Sequence, residues 1–242
     1  MSRTRKPEQD SFYVGLRMLE YLVTSRSSKG VSQIAEGLGL AVSSTHDILK
    51  LLLRLGFVEQ KPGTHRYEVT TGMFRLINTF AAEFGIVPHV HEAFRECTRT
   101  LHGTIYLCRL WQKETYVIYA QGEVASTASL GGHHPAHLSA AAKAILAQRD
   151  RAAWEDHAPA RGKREFFREL EEAKKEGVAW NLQKTDPNVC SVAIPLGDQE
   201  ELADYAVAMV FRPEEFRKWH RSVLVETLRE TRARIEARIP KL

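Results

Sequence analysis

Apolar positions recur along this chain at two spacings, and the change from one to the other divides it. From Ser11 onward Leu16, Leu19, Leu22 and Val23 return at helical intervals, which predicts an amphipathic helix stopped by Ser27-Ser28-Lys29-Gly30. A short second helix follows, with Ser32 as its expected N-cap, Ile34, Ala35 and Leu38 on its apolar side, and Gly39 just past its end. After a brief turn, SSTHDILKLLLRL reads as a third helix. FVEQ and RYEV then read as short strands around Pro62-Gly63-Thr64-His65, a hairpin signal. Helix, helix-turn-helix and hairpin within residues 1–71 predict a winged helix-turn-helix domain.

The next segment, GMFRLINTFAAEFG, sets Phe74, Ile77, Phe80 and Ala81 at helical spacing and predicts a linker helix over 72–85. Beyond it the pattern alternates. HVHEAFRECTRTLH reads as a helix, TIYLCRLW and ETYVIYAQ as strands, and STASLGG as a short strand or loop. SAAAKAILAQ and KREFFRELEEAKKEG read as helices, VCSVAIPL and YAVAMVF as apolar strands. One long closing helix runs through EEFRKWHRSVLVETLRETRARIEARI, with Phe216, Trp219, Val223 and Leu228 toward the protein. Adjacent strands joined by short turns predict an antiparallel sheet with packed helices over 86–242, so the chain as a whole is α+β.

Composition narrows the picture further. With 242 residues, 43% hydrophobic and 26% charged, the chain has room for two domains and excludes a disordered polymer. No apolar run approaches the ~20 residues of a membrane span, and MSRTRKPEQDS lacks the ~7–15-residue apolar core of a signal peptide. A cytoplasmic protein without a membrane partner is expected. Cys97, Cys108 and Cys190 are three widely spaced cysteines, a pattern that excludes a disulfide framework or a CxxC metal or redox motif. The net charge of +4 is unevenly held: residues 1–75 carry 11 Lys and Arg against 7 Asp and Glu, and the remainder carries 23 of each. A basic excess confined to one segment suits a polyanion partner.

The third helix gives that partner a surface. On a wheel turning about 100° per residue, Ser43, His46, Asp47, Lys50 and Arg54 share roughly a 100° arc, while Thr45, Ile48, Leu52 and Leu55 lie opposite. Small polar residues at the N-terminal end let a helix enter the major groove, and Lys and Arg beyond them meet phosphates. The alternative is the polar face of any amphipathic surface helix; the preceding short helix, the Gly39 turn and the wing favour DNA. The candidate DNA-contacting residues are Ser32, Ser43, Ser44, His46, Asp47, Lys50 and Arg54, with His65 and Arg66 on the wing. His133, His134 and His137 form a cluster that invites a metal, but adjacent histidines chelate poorly together, so a hydrogen-bonded turn is favoured and no metal or cofactor is expected. Cys190 in an apolar strand suits packing better than nucleophilic chemistry. Lys143 reads equally as an anion partner and as a snorkelling surface lysine. The rival class is an enzyme with a catalytic C-terminal domain and an accessory DNA-binding domain. The chain has no glycine-rich phosphate loop, GxSxG elbow or metal-spaced His/Glu motif to support it.

These residues also carry a resemblance. VSQIAEGLGLAVSSTHDILKLLLRLGFVEQKPGTHRYEVT resembles, element for element, the helix-turn-helix and wing of the IclR family of bacterial transcription regulators. LGGHHPAHLSAAAKAILA is similar to that family's Gly-Pro-His segment and Gly-Lys-Ala helix, and GVAWNLQKTDPNVCSVAIPLGD to its cysteine-bearing strand. The likeness covers almost the whole chain. It departs at Asp47, where the family usually has arginine, at Ala142, where it has glycine, and at Asn181, a place often held by an acid. The resemblance implies a ligand-responsive regulator that binds operator double-stranded DNA. It further implies a GAF-like effector-binding domain and a homodimer or dimer of dimers. The apolar side chains Phe74, Ile77, Phe80 and Phe84 make the linker helix a candidate part of the dimer contact.

The resemblance places the effector among STASLGG, the start of SAAAKAIL and the strands holding Cys190 and Met209. Ser126, Ala128 and Leu130 share a face at period two, as do Met209 and Phe211 on the last strand. His137, Ala140, Ala141 and Asn181 complete the candidate effector-binding set. Free N–H groups at the helix start suit a carboxylate, and Leu130, Met209 and Phe211 suit a flat apolar body. The expected effector is an aromatic acid or related aromatic catabolite.

Overall fold

The computed structural model describes residues 11–25, 27–73, 75–76, 86–101, 103–122, 131–197 and 202–239. The chain separates into two compact units, Met1–Gly85 and Ile86–Leu242.

In the first unit, α1 (Ser11–Thr24), α2 (Val31–Leu38) and α3 (Val42–Arg54) pack around Met18, Leu22, Ile34, Leu49 and Leu52. A three-stranded antiparallel sheet closes the unit, in the order β1 (Lys29–Gly30), β3 (Arg66–Val69), β2 (Val58–Gln60). Three details differ from the pattern-based expectation. The buried face of α1 is Val14, Gly15, Met18, Leu19 and Leu22, whereas Leu16 and Val23 are exposed. Ser32 lies inside α2 rather than capping it. Gly30 is the N-cap, and its N–H donates to the Gln33 side chain at 3.1 Å. Leu55, expected on the buried side of α3, is 61% exposed. Gly39 ends α2 at φ 67, a left-handed conformation that costs glycine little and starts the turn into α3. Residues 71–73 and 75–76 are helical, and the rest of the expected linker helix, with Phe74, Ile77, Phe80, Ala81 and Phe84, lies outside the described residues.

The second unit is a six-stranded antiparallel sheet in the order β6-β5-β4-β9-β8-β7. Its strands are β4 (Thr104–Trp111), β5 (Glu114–Gly122), β6 (His133–Pro135), β7 (Ala179–Leu182), β8 (Cys190–Pro195) and β9 (Tyr205–Phe211). Helix α4 (Val87–Thr100) buries Val90, Ala93, Phe94 and Cys97 at helical spacing against one face. Helix α9 (Arg221–Glu236) adds Leu224, Leu228 and Ile235 to the same core. The other face carries α5 (Ala140–Leu146), α6 (Arg151–His157) and α7 (Lys163–Glu176). All seven residues of α5 are buried, and four of them are alanines, so the helix lies close against the sheet. The closing segment is not one helix. It breaks after α8 (Pro213–Phe216), which lets Phe216 and Trp219 pack on the first core, with Phe216 set edge-on to Trp180, before α9 begins. Val223 is 40% exposed rather than packed inward.

Because helices cover both faces, strand residues alternate between two cores rather than between core and water. On β9, Ala206, Ala208 and Val210 face the α5 side, while Val207, Met209 and Phe211 face α4 and α9. On β8, Ala193 faces α5, and Val192 and Ile194 face the opposite core.

Candidate DNA-binding face and effector cavity

The exposed side of α3 is built from residues that its packing leaves free. Thr45, Ile48, Leu49 and Leu52 are buried, and the Thr45 hydroxyl donates to the Ala41 carbonyl at 3.0 Å. Ser43, Ser44, His46, Asp47, Lys50 and Arg54 are all exposed on the remaining surface, as is Ser32 on α2. Lys50 stands 3.9 Å from Asp47, and both are well solvated, so the pair is loose and Lys50 is available to a phosphate. On the wing, Gly63 turns the chain at φ 72, and the Lys61 N–H donates to the Arg66 carbonyl at 2.8 Å. His65 is exposed beside Gln60. Arg66 is already occupied: its guanidinium donates to the Ser28 hydroxyl at 3.2 Å and to the Ser28 carbonyl at 2.5 Å, tying the wing to the residue before β1. Beside α3, Phe12, Leu16, Leu51 and Leu55 line an exposed apolar groove of about 300 Å³.

In the second unit a recess with an enclosed volume of about 60 Å³ opens between α5 and the sheet. Tyr106, Cys108, Val117, Ala208 and Val210 form the sheet wall, and Ala140 and Ala141 the helix wall. Thr115, His134, Ser139, Asn181, Thr185 and Ser191 supply polar groups. Among the described residues no Asp, Glu, Lys or Arg lines it. Ser139 caps α5, its hydroxyl accepting from the Ala142 N–H at 3.3 Å. Asn181 donates to the Leu138 carbonyl at 2.9 Å and to Thr185 at 2.7 Å, and accepts from the Lys184 N–H at 2.9 Å. It therefore holds the rim together.

Of the effector residues expected from sequence, Ala140, Ala141 and Asn181 come together here. Met209 and Phe211 do not: both are fully buried in the α4–α9 core on the other face of β9, and Ala208 and Val210 take their place. Cys190 alternates with Val192 and Ile194 on that second face, and burial raises its thiol. His137 is half-buried in the turn before α5; burial and the Lys143 ammonium hold its imidazole below the usual range. Ser126, Ala128 and Leu130 lie outside the described residues. Thr115, Cys108, Tyr106 and Ser191 were not identified from the sequence. A threonine at period two with Val117 was the available signal, lost beside louder apolar runs.

Lys143 is not a snorkelling surface residue, and it does not line the recess. It is 1% exposed, donates to Glu169 at 2.9 Å and to the Trp180 carbonyl at 3.4 Å, and lies beneath the cavity wall. Burial draws its pKa down against the opposing pull of Glu169, while Lys184 bridges Glu169 and Glu165 outside. Of the three clustered histidines, His133 pairs with Glu114 at 2.9 Å and stacks on Tyr116, and His134 turns into the cavity. No cluster able to hold a metal occurs among the described residues, and no helix among them is long and apolar enough to cross a membrane.

A winged helix-turn-helix with a polar third helix, carried in one chain with an α+β domain that holds a recess, defines a ligand-responsive DNA-binding regulator. The chain belongs to the IclR family: the IclR helix-turn-helix domain matches residues 14–62, and the bacterial transcriptional regulator IclR C-terminal domain matches residues 79–237. It is 28% identical over 204 residues to the glycerol operon regulatory protein of Streptomyces griseus, covering 79% of this chain and 80% of that one. It is 29% identical over 140 residues to the transcriptional repressor IclR of Escherichia coli K12, covering 55% and 51%. Two solved structures share the fold. An IclR homolog from Microbacterium hydrocarbonoxydans complexed with 4-hydroxybenzoate superposes with a TM-score of 0.82 at 17% identity, covering 94% of this chain and 98% of that one. IclR of Thermotoga maritima does so at 0.74 and 19%, covering 94% and 97%.

Proposed function

We propose that this regulator senses an aromatic acid or related aromatic catabolite and reads its operator through Ser43, His46, Asp47 and Lys50 of α3. The observation that carries the effector reading is the cavity wall itself. Tyr106, Val117 and Val210 offer apolar surface, and the polar groups between them are uncharged. A ring buries well against such a wall, and its carboxylate stays solvated at the mouth. The likeness to a fold that binds 4-hydroxybenzoate in another organism is consistent with this choice. A two- or three-carbon keto acid is the second reading, favoured by the small enclosed part of the recess. One recognition helix covers one half-site, so a homodimer or dimer of dimers is the working form. The exposed apolar groove of Phe12, Leu16, Leu51 and Leu55 is surface a solitary DNA-binding unit gains nothing by leaving wet. An effector alters output only by binding one arrangement of the protein better than another.

Calorimetry on the full chain with benzoate-type acids, pyruvate and glyoxylate tests the effector. Binding of an aromatic acid with none of the keto acids supports the first reading. Keto-acid binding with no response to any aromatic acid replaces it with the second.

A further inference from the structure

Thr115 is 2% exposed on β5 and lines the cavity, yet its hydroxyl has no hydrogen-bond partner among the described residues. Natural interiors seldom leave a buried hydroxyl unpaired, because its desolvation is uncompensated. Two other polar groups of the rim are engaged: Ser139 caps α5, and Asn181 spends both its amide and its carbonyl on Leu138, Thr185 and Lys184. Thr115 lines the cavity with a buried hydroxyl whose bonding capacity no described residue uses. We propose that Thr115 is a specificity-determining residue that hydrogen-bonds an uncharged substituent of the effector, a ring hydroxyl or a carbonyl.

The neighbours of Thr115 decide the charge of what it meets. The β5 register sets it opposite His134 of β6 and Leu110 of β4, and Cys108 follows on the same wall. Burial pushes the Cys108 thiol up to about 12, so it stays protonated. Burial, and then the nearby His133, hold the His134 imidazole below its usual range, so it stays neutral near pH 7. A hydroxyl, a thiol and a neutral imidazole can bond a phenol or a carbonyl. They offer nothing to neutralise a buried carboxylate. The ring's own acid group therefore remains at the solvated mouth, and a second acid group at the Thr115 end is rejected.

Thr115 has this role only if the cavity is the effector site proposed above, and the experiment separates the two claims. Benzoate, 4-hydroxybenzoate and terephthalate are titrated calorimetrically into full-length wild type, Thr115→Val and Thr115→Ser. Wild type is expected to bind 4-hydroxybenzoate about ten-fold or more tighter than benzoate, as one recovered hydrogen bond allows, and to ignore terephthalate. Thr115→Val, which keeps the shape and loses the hydroxyl, should erase that preference while holding benzoate unchanged; Thr115→Ser should retain it. A preference that survives in Thr115→Val, or terephthalate binding as well as 4-hydroxybenzoate, overturns the role of Thr115 with the site intact. Wild type binding none of the three overturns the effector reading itself.

Discussion

The two units of this molecule put their chemistry on opposite sides of their cores. In the DNA-binding unit the residues proposed to meet DNA point out: Ser43, His46, Asp47 and Lys50 occupy the part of α3 that packing does not use. In the effector unit the residues proposed to meet the ligand point in, between a sheet and a helix that both need apolar contacts, so that Thr115 and Ser191 share their walls with Val117 and Ala208. Outward function costs a fold little and leaves a visible polar stripe. Inward function must be carved out of a core, and it is written in the exceptions to an apolar pattern.

The sharpest way to break this comparison is to cut the two faces of β9 separately. Met209 is fully buried among the residues of α4 and α9, and the Cys97 thiol lies 3.8 Å from its sulfur. Met209→Ala is expected to cost about 3 kcal/mol of unfolding free energy, the usual price of a large-to-small change in a packed core. Effector affinity should be unchanged at temperatures where the variant is folded. Urea melts paired with calorimetry measure both quantities. A large loss of affinity with intact stability would return Met209 to the effector wall.

The same strand shows why legibility differed between the units. The winged helix-turn-helix could be read from α2, Gly39, α3 and the Pro62-Gly63 turn, because each signal is local and one side of every element faces water. YAVAMVF has no polar side. Strands covered on both faces read as continuous apolar runs, and nothing in them says which alternate set meets the cavity. Met209 and Phe211 are the bulkier set and the one that suits a ring, yet bulk is what fills the core, and the small Ala208 is what leaves room. Asn181, Ala140 and Ala141 were legible through the family resemblance, which sets the recess at the start of the SAAAKAIL helix and beside Asn181. β6, α6 and β7 were missed for brevity: HHP and AWNL are too short to show a period.

A smaller effect should come from the outward face. Lys50 is more than half exposed and only loosely paired with Asp47. Lys50→Ala is expected to weaken operator binding by about 1 kcal/mol, almost uniformly across sequences, and to lower the salt slope by about one. His46 or Ser43 substitutions should instead change which sequence is preferred. Gel-shift titrations over a salt series, with full chain and with 86–242, check this. Equal binding by 86–242, or an unaltered salt slope in Lys50→Ala, would mean that phosphates are met elsewhere.

The smallest expected effect tests whether the inward face depends on a neutral histidine. Burial, reinforced by His133, depresses the His134 pKa in the folded protein below its usual value near 6.5. Between that value and the depressed one, the unfolded chain binds more protons than the folded chain, so stability must rise with pH across the window and fall as acid is added. Above pH 7 both states are neutral at this position and the contribution vanishes. His134→Gln removes the titration while keeping a hydrogen-bonding side chain. Thermal melts from pH 7.5 to pH 5.5 should therefore show a smaller loss of midpoint for the variant than for wild type, and equal slopes at pH 7 and above. If both lose the same midpoint on acidification, His134 takes up its proton as readily folded as unfolded. The cavity it lines would then be wetter and more tolerant of charge than its neutral lining implies.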